Sequence, residues 1–304
     1  MIDTQNLTRT FGDTTAVDSL TLHIDEGEVF GFLGPNGAGK TTTVRMLCCL
    51  ISKTHGTAKV GDYEIANPSD IPKIRKIIGL LPENVGIYED LSTYKNLDFY
   101  GKIYKLPQTQ RQARIEHFLK MLGLWEKRDR PAGSLSKGMK QKLAIARALI
   151  HDPQVLFLDE PTANLDPEAS KTVRDFILEL KKEKRTIFLN THLLDEAERV
   201  CDRVGILKTK LLTVGTPESL RKSLLDTKTV IGLENVSDAI VEAVKRLGSW
   251  QIEVVGNKLI ITVSDPEQDN PNIVDAIGKA GGRIQFITQT TPSLEDVYLK
   301  LVRS

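Results

Sequence analysis

No stretch of this sequence is long and apolar enough to cross a bilayer. A membrane-spanning helix needs ~20 mostly apolar residues, whereas the best apolar runs, Val155 to Leu158 and Leu259 to Val263, are strand-sized. The beginning, MIDTQNLTRTFG, has no positive region leading into an apolar core, so no signal peptide is predicted. The expectation is a soluble polypeptide whose membrane role, if it has one, comes through a partner. Cysteine is scarce: Cys48, Cys49 and Cys201 are odd in number and form no CxxC pattern. That excludes a disulfide framework or a zinc site and predicts buried free thiols in a reducing compartment. Low-complexity tracts and internal repeats are absent, which excludes disordered and solenoid classes. Charge of one sign is lacking too, with 41 basic against 40 acidic residues and no block of like charges, so no nucleic-acid partner is expected.

What is present is an ordinary globular composition, 40% apolar and 27% charged, over 304 residues, enough for two domains. Residues 20 to 33 read as two strands around a turn at Asp25-Glu26-Gly27, followed by a helix from Lys40 to about Leu50. Short continuous apolar runs at 77–81, 155–158, 186–189 and 204–207 have the pattern of strands buried on both faces of a parallel sheet. Helical patterns at 109–122, 138–150, 167–182 and 193–200 alternate with them, which indicates an α/β domain.

The pattern changes near 220–230. Strand 229–234, helix 237–247, strands 250–255 and 258–264, helix 270–280 and strand 283–289 follow in the β-α-β-β-α-β order of ferredoxin-like α+β domains. A last helix runs from Ser293 to Val302. Residues from 229 onward hold 7 basic and 10 acidic side chains, against 34 and 30 in the preceding 228, which supports a boundary there. The predicted domains are 1–222, with a helical subdomain at about 84–150, and 229–304.

Gly34-Pro35-Asn36-Gly37-Ala38-Gly39-Lys40-Thr41 fits the phosphate-loop pattern G-x-x-x-x-G-K-[ST], after a strand and before a helix. Its glycines let backbone N–H groups turn inward as an anion nest, and the helix N-terminus adds partial positive charge. Lys40 is expected on the β- and γ-phosphates and Thr41 on Mg²⁺. No NKxD motif reads guanine, so GTP is disfavoured. The strand Val155–Leu158 ends in Asp159-Glu160, a carboxylate suited to the Mg²⁺ shell and one placed to polarise a water against the γ-phosphate. His192, after the strand TIFLN, either contacts the γ-phosphate or serves as a structural residue or helix cap.

A second small glycine turn, SLSKGMKQK at 134–142, also feeds a helix start. With this ordered set, the chain resembles the ATP-binding subunit of an ABC transporter over residues 2 to 225. The resemblance implies a P-loop NTPase fold with an α-helical signature subdomain, and ATP and Mg²⁺ as ligands. It assigns Phe11 to stacking on adenine, Gly34 to Thr42 to Walker A, Asp159 to the Walker B acid and Glu160 to the catalytic base. Ala163-Asn164-Leu165-Asp166 becomes the D-loop, His192 the switch histidine, and Ser136 with Gly138 the signature residues that touch a partner subunit's nucleotide. Three positions depart from the family pattern. Glu83 replaces the Q-loop glutamine, where it is still able to ligand Mg²⁺; Lys137 and Met139 replace the commoner Gly and Gln; and Lys208-Thr209-Lys210 replaces a glycine-bearing hairpin turn.

The variants LPE and LSKGM, with the ending PSLEDVYL, are similar to the ATPases of bacterial two-component exporters. That resemblance implies an ATP-dependent dimer, a separate membrane permease and a peripheral place on the cytoplasmic face of the cell membrane. The segment 82–100 is expected to receive the permease, although Tyr88, Tyr94, Phe99 and Tyr100 also suit ordinary core. The domain at 229–304 is expected to stabilise or contact a dimer without chemistry of its own. A soluble ATPase of the same type acting on ribosomes or DNA is the alternative, and a small-molecule phosphotransferase would leave the signature and His192 without a purpose.

Overall fold

The computed structural model describes residues 1–224, 227–263, 265–290 and 292–303. They form two compact units, Met1–Thr216 and Pro217–Ser304. The first runs β1 (Ile2–Phe11), β2 (Thr14–Ile24), β3 (Val29–Leu33), α1 (Lys40–Leu47), β4 (His55–Val60), β5 (Tyr63–Glu64), α2 (Ile71–Ile77) and β6 (Ile78–Leu81). It continues with α3 (Thr93–Ile103), α4 (Gln108–Met121), two single 3₁₀ turns, α5 (Lys137–Leu149), β7 (Val155–Asp159), α6 (Pro167–Lys182), β8 (Thr186–Asn190), α7 (Leu194–Val200), β9 (Arg203–Lys208) and β10 (Lys210–Gly215).

Two sheets make this unit. One has the order β10-β9-β3-β8-β7-β6, with β9, β3, β8, β7 and β6 parallel and β10 antiparallel at its edge. Strands β3, β7 and β8 are buried at every position, as their continuous apolar runs require of strands covered on both faces. The other sheet, β2-β1-β4-β5, is antiparallel. Phe30, Phe32, Phe157 and Phe188 interlock with ring centroids 5.1 to 6.4 Å apart, and share one core with Ile2, Leu20, Val44 and Val60. The sequence pattern reads β2 and β3 as consecutive strands, and the structure puts them in different sheets. β1 has no clear signal in the sequence, because its apolar positions are sparse and its ladder is broken by register shifts.

Local chemistry explains the helix limits. α1 stops at Leu47, short of the expected Leu50, because Cys49 takes a left-handed φ of 55°. α5 starts at Lys137, one residue before the expected start, with Ser136 as N-cap accepting from the Met139 N–H. α6 begins on Asp166, whose side chain accepts from Ala169 N–H at 2.7 Å, with Pro167 at the first helical position. Helices α3, α4 and α5 bury Leu97, Ile115, Leu119 and Leu143 and occupy the stretch expected to be the helical subdomain.

The second unit contains α8 (Pro217–Leu224), β11 (Thr227–Leu233), α9 (Asp238–Lys245), β12 (Ile252–Val255), β13 (Lys258–Val263), α10 (Pro266–Lys279), β14 (Ile284–Thr290) and α11 (Leu294–Arg303). α8 belongs to this unit, so the break falls after Thr216, ahead of the boundary drawn from the sequence at 222. Its sheet has the order β12-β13-β11-β14, antiparallel throughout, which is the ferredoxin-like arrangement. Ile231, Leu259 and Ile261 pack against Ile240 and Val244 of α9 and Ile273 and Ile277 of α10. α10 starts at Pro266 instead of 270, capped by Asp265, because Pro271 inside the helix disguises its first turn. Residue 264, the expected end of β13, and residues 225 and 226 of the expected linker lie outside the described residues.

Candidate nucleotide site

The cleft lies at the carboxyl ends of the parallel strands, where ligands bind in open α/β sheets. β3 delivers the phosphate loop, and close backbone approach dictates two of its glycines. A Cβ on Gly34 would sit 2.3 Å from the Leu207 carbonyl oxygen, and one on Gly39 would sit 2.2 Å from that of Ala16, where φ is also +100°. The left-handed Gly39 then starts α1 directly at Lys40. The β9–β10 turn braces the loop from outside: Thr209 N–H donates to the Ala38 carbonyl at 3.0 Å, and Asp18 N–H to the Thr209 carbonyl at 2.9 Å. Thr209 does this at φ 64°, so the turn expected to lack its glycine is held in the conformation glycine would favour.

A cavity of about 300 Å³ is lined by Asn36, Gly37, Ala38, Gly39, Lys40, Thr41 and Thr42 on one side. Glu83, Asp159, Glu160, Asn164, Asn190 and His192 line the other. Lys40 Nζ donates to the carbonyls of Gly34 at 2.8 Å and Pro35 at 3.1 Å. Burial holds the Lys40 ammonium below its usual pKa, against the opposing pull of Glu160 and Asp159. Thr41 Oγ1 donates to Asp159 Oδ2 at 3.1 Å, and Asn190 Nδ2 donates to Asp159 Oδ1. Burial pushes the Asp159 carboxyl up, these two hydrogen bonds pull it back, and the charges of Glu160 and Glu83 raise it further.

Glu160 sits at a left-handed φ of 51°, which turns it out of the strand line that carries Asp159. Its Oε1 accepts from His192 Nδ1 at 2.8 Å and its Oε2 from Thr191 Oγ1 at 3.4 Å. One carboxylate is therefore held by a hydroxyl and an amide, while its neighbour is held by an imidazole and a hydroxyl. This arrangement suits phosphoryl transfer to water, with positioning and charge stabilisation supplied by the protein.

The oxygen donors fit Mg²⁺, which keeps several waters and uses one or two protein oxygens beside substrate phosphates. Thr41 has its hydrogen on Asp159 and lone pairs to spare, and Glu83 lines the same cavity. Among the described residues no cluster of three or more His, Cys, Asp or Glu forms a self-sufficient metal cage.

Other expected residues stand elsewhere. Phe11 is exposed, with the Arg9 guanidinium 4.3 Å from its ring centroid, and does not line the cavity. Ser136, Gly138 and Asp166 are also outside it. Ser136 and Asp166 cap helices, and a Cβ on Gly138 would meet Ala169 Cβ at 2.9 Å, so each has a structural duty in the single chain. Asn190 and Thr191 contact the two acids and carry no motif of their own; their signal in the sequence is a polar step ending an apolar strand beside an acid-ending one.

An ABC transporter family model matches residues 17–163, and a model of the DrrA1-3-like ATP-binding protein C-terminal domain matches 215–302. A Nod factor export ATP-binding protein I of Rhizobium meliloti (strain 1021) is 35% identical over 99% of this chain and 87% of its own. The chain belongs to the ABC transporter ATP-binding proteins. As such it is an ATP-binding, ATP-hydrolysing subunit. A solved Clostridium perfringens relative, cbiO1, described as part of the ABC transporter complex cbiONQ, matches with 30% identity and a TM-score of 0.67 over 73% of this chain and 90% of that one. A dimeric ATP-binding cassette in a post-hydrolysis state with ADP and Pi matches with 26% identity and a TM-score of 0.65, over 71% of this chain and 98% of that one. None of these relatives is described as acting on ribosomes or DNA.

Proposed function

We propose that this ABC ATP-binding protein powers export through a separate membrane permease, working as an ATP-dependent dimer on the cytoplasmic face of the membrane. The observation that carries the chemistry is the convergence of Lys40, Thr41, Asp159, Glu160 and His192 on one cavity. Lys40 and the Walker A backbone hold the phosphates. Thr41 and Asp159, with Glu83 beside them, would hold Mg²⁺, which would supply charge neutralisation at the phosphates. Glu160, kept in place by His192, accepts the proton of the attacking water. Ser136 and Gly138 complete the site of the opposite subunit, and Phe11 stacks on adenine.

Support for a membrane partner comes from a second cavity of about 400 Å³, lined by Pro82, Asn84, Gly86, Tyr100, Tyr104 and Arg147 among others. Tyr88, Phe99 and Tyr100 pack ring to ring at 5.2 to 6.2 Å, yet Tyr88 and Phe99 stay 48% and 39% exposed, more than a core requires. No described helix is long and apolar enough to cross a membrane; in this reading the permease provides the path for cargo. Glu160→Gln tests the central step. Turnover is expected to fall ~10²–10⁴-fold while ATP binding persists and a nucleotide-bound dimer accumulates on size exclusion; unimpaired hydrolysis would remove Glu160 from the role of base.

A further inference from the structure

The acid at the end of β7 is buried, and a buried carboxylate needs donors on both oxygens to be held in one orientation. Thr41 supplies one, on Oδ2. The second comes from Asn190, which the strand register places beside it: Asp159 and Asn190 are direct partners across the parallel β7–β8 ladder. On the other side of β8, the parallel β3–β8 ladder makes Asn190 the neighbour of Phe32 on β3, the strand that leads into the phosphate loop. Asn190 is 1% exposed, so its amide has no access to bulk water. Its Nδ2 donates to Asp159 Oδ1, and the reverse amide orientation would set two acceptors against each other. Its Oδ1 is buried without a hydrogen-bond partner, although Asn190 lines the nucleotide cavity. An unmade buried hydrogen bond is destabilising, a burden a purely structural amide has no reason to carry.

We propose that Asn190 is a positioning residue for metal-nucleotide binding: its amide, donated across the β7–β8 ladder, fixes the rotation of the Asp159 carboxylate. Asn190-Thr191-His192 then forms one clamp at the end of β8. Asn190 holds Asp159, while Thr191 and His192 hold Glu160. The backbone joins in, because Glu160 N–H donates to the Asn190 carbonyl at 2.8 Å. A single three-residue step therefore sets the two acids relative to each other, and the phosphate loop is tied to the same point through Thr41.

The inference rests on the nucleotide-site reading above, and the test separates the two. Mn²⁺, detected by electron paramagnetic resonance, is titrated against full-length protein saturated with a non-hydrolysable ATP analogue. Metal-free binding of that analogue in EDTA and thermal unfolding without nucleotide are measured beside it. Asn190→Leu keeps the volume and removes donor and acceptor; Asn190→Asp keeps the shape and puts a carboxylate against Asp159. Both are expected to raise the half-saturating Mn²⁺ concentration ~10–100-fold, the usual cost of losing a group that orients a metal ligand. Metal-free analogue binding should stay within about twofold. Wild-type Mn²⁺ affinity in a folded Asn190→Leu protein overturns the proposal, as does an equal loss of metal-free binding, which marks a merely structural residue. If neither variant folds, the wild type still decides: with ¹⁵N-asparagine labelling, added Mn²⁺ should broaden the protected side-chain amide pair of Asn190, and an unaffected pair overturns the idea. Failure of wild-type protein to bind the analogue at all would sink the nucleotide-site reading instead.

Discussion

The two units of this chain place strain and polarity very differently. Among the described residues, all nine non-glycine residues with a positive φ fall before Thr216, and the second unit confines that conformation to Gly256 and Gly281. Buried polar side chains divide the same way. The first unit buries Glu28, Lys40, Asp159, Asn190 and others, whereas the second buries Thr229, whose hydroxyl has Asn270 as partner at 2.7 Å. Three of the strained residues, Glu160, Asn164 and Thr209, line or brace the nucleotide cavity. Strained backbone and buried charge persist only where the surrounding fold over-determines them, and they collect where chemistry is done. The second unit carries an apolar core between one sheet face and two helices.

The sharpest way to break this contrast is to disable the first unit on separate chains. Lys40→Ala and Ser136→Ala proteins should each lose ~10²–10³-fold in ATP turnover, as when a charge-stabilising contact is removed. Mixed together they should recover part of it, because a heterodimer rebuilds one intact composite site. A mixture as inactive as its components would deny that Ser136 acts on the partner's nucleotide.

Core truncations come next. Phe188→Ala should destabilise the first unit by about 3–5 kcal/mol and Ile261→Ala the second by about 2–5 kcal/mol. The difference to look for in denaturant unfolding is that Ile261→Ala leaves turnover per folded molecule nearly unchanged, while Phe188→Ala, which removes the ring packed on Phe32 of the strand leading into the phosphate loop, does not.

Acid should separate the units as well, since all five histidines precede residue 217. His151 stacks on Tyr104 at 3.8 Å, and burial holds its imidazole below the usual 6.5 despite the bond from Nε2 to the Ile78 carbonyl. The unfolded chain therefore takes up this proton first as pH falls, so stability is complete above about 6.5 and declines below it. His23 works in the opposite sense, raised by Asp3 and Asp25, but it is exposed and screened. Unfolding followed between pH 5 and 7 should show the first unit weakening toward acid and the second flat, and His151→Phe should remove the decline.

The smallest effect concerns Thr209. A β-branched residue at φ 64° is strained, and Thr209→Gly should stabilise the first unit by about 0.5–1 kcal/mol in thermal unfolding, the backbone relief exceeding the entropy of added glycine. A loss of stability would mean that the Thr side chain, and not the turn, holds the phosphate loop.

Much of this was legible in order and type. The buried strands 155–159 and 186–190, the helix 167–182 and the β-α-β-β-α-β run announce themselves through apolar periodicity and caps. β1 did not, because a bulged strand with few apolar residues, set between β2 and β4 of an antiparallel sheet, has no steady period. α10 was clipped by Pro271, a local signal overridden by packing of Ile273 and Ile277.

The sequence by itself determined which chemistry is possible here: a glycine loop able to nest phosphates, a lysine and a threonine after it, and two acids ending an apolar strand. Those are local properties, fixed by residue type and by spacing of a few positions. Only the tertiary structure decided that Asp159 meets Asn190, that Glu160 meets His192, and that Thr209 holds Ala38. Such pairs lie on neighbouring strands and turns far apart in the chain, and register across a sheet is set by the packing of both faces at once, which no single segment encodes.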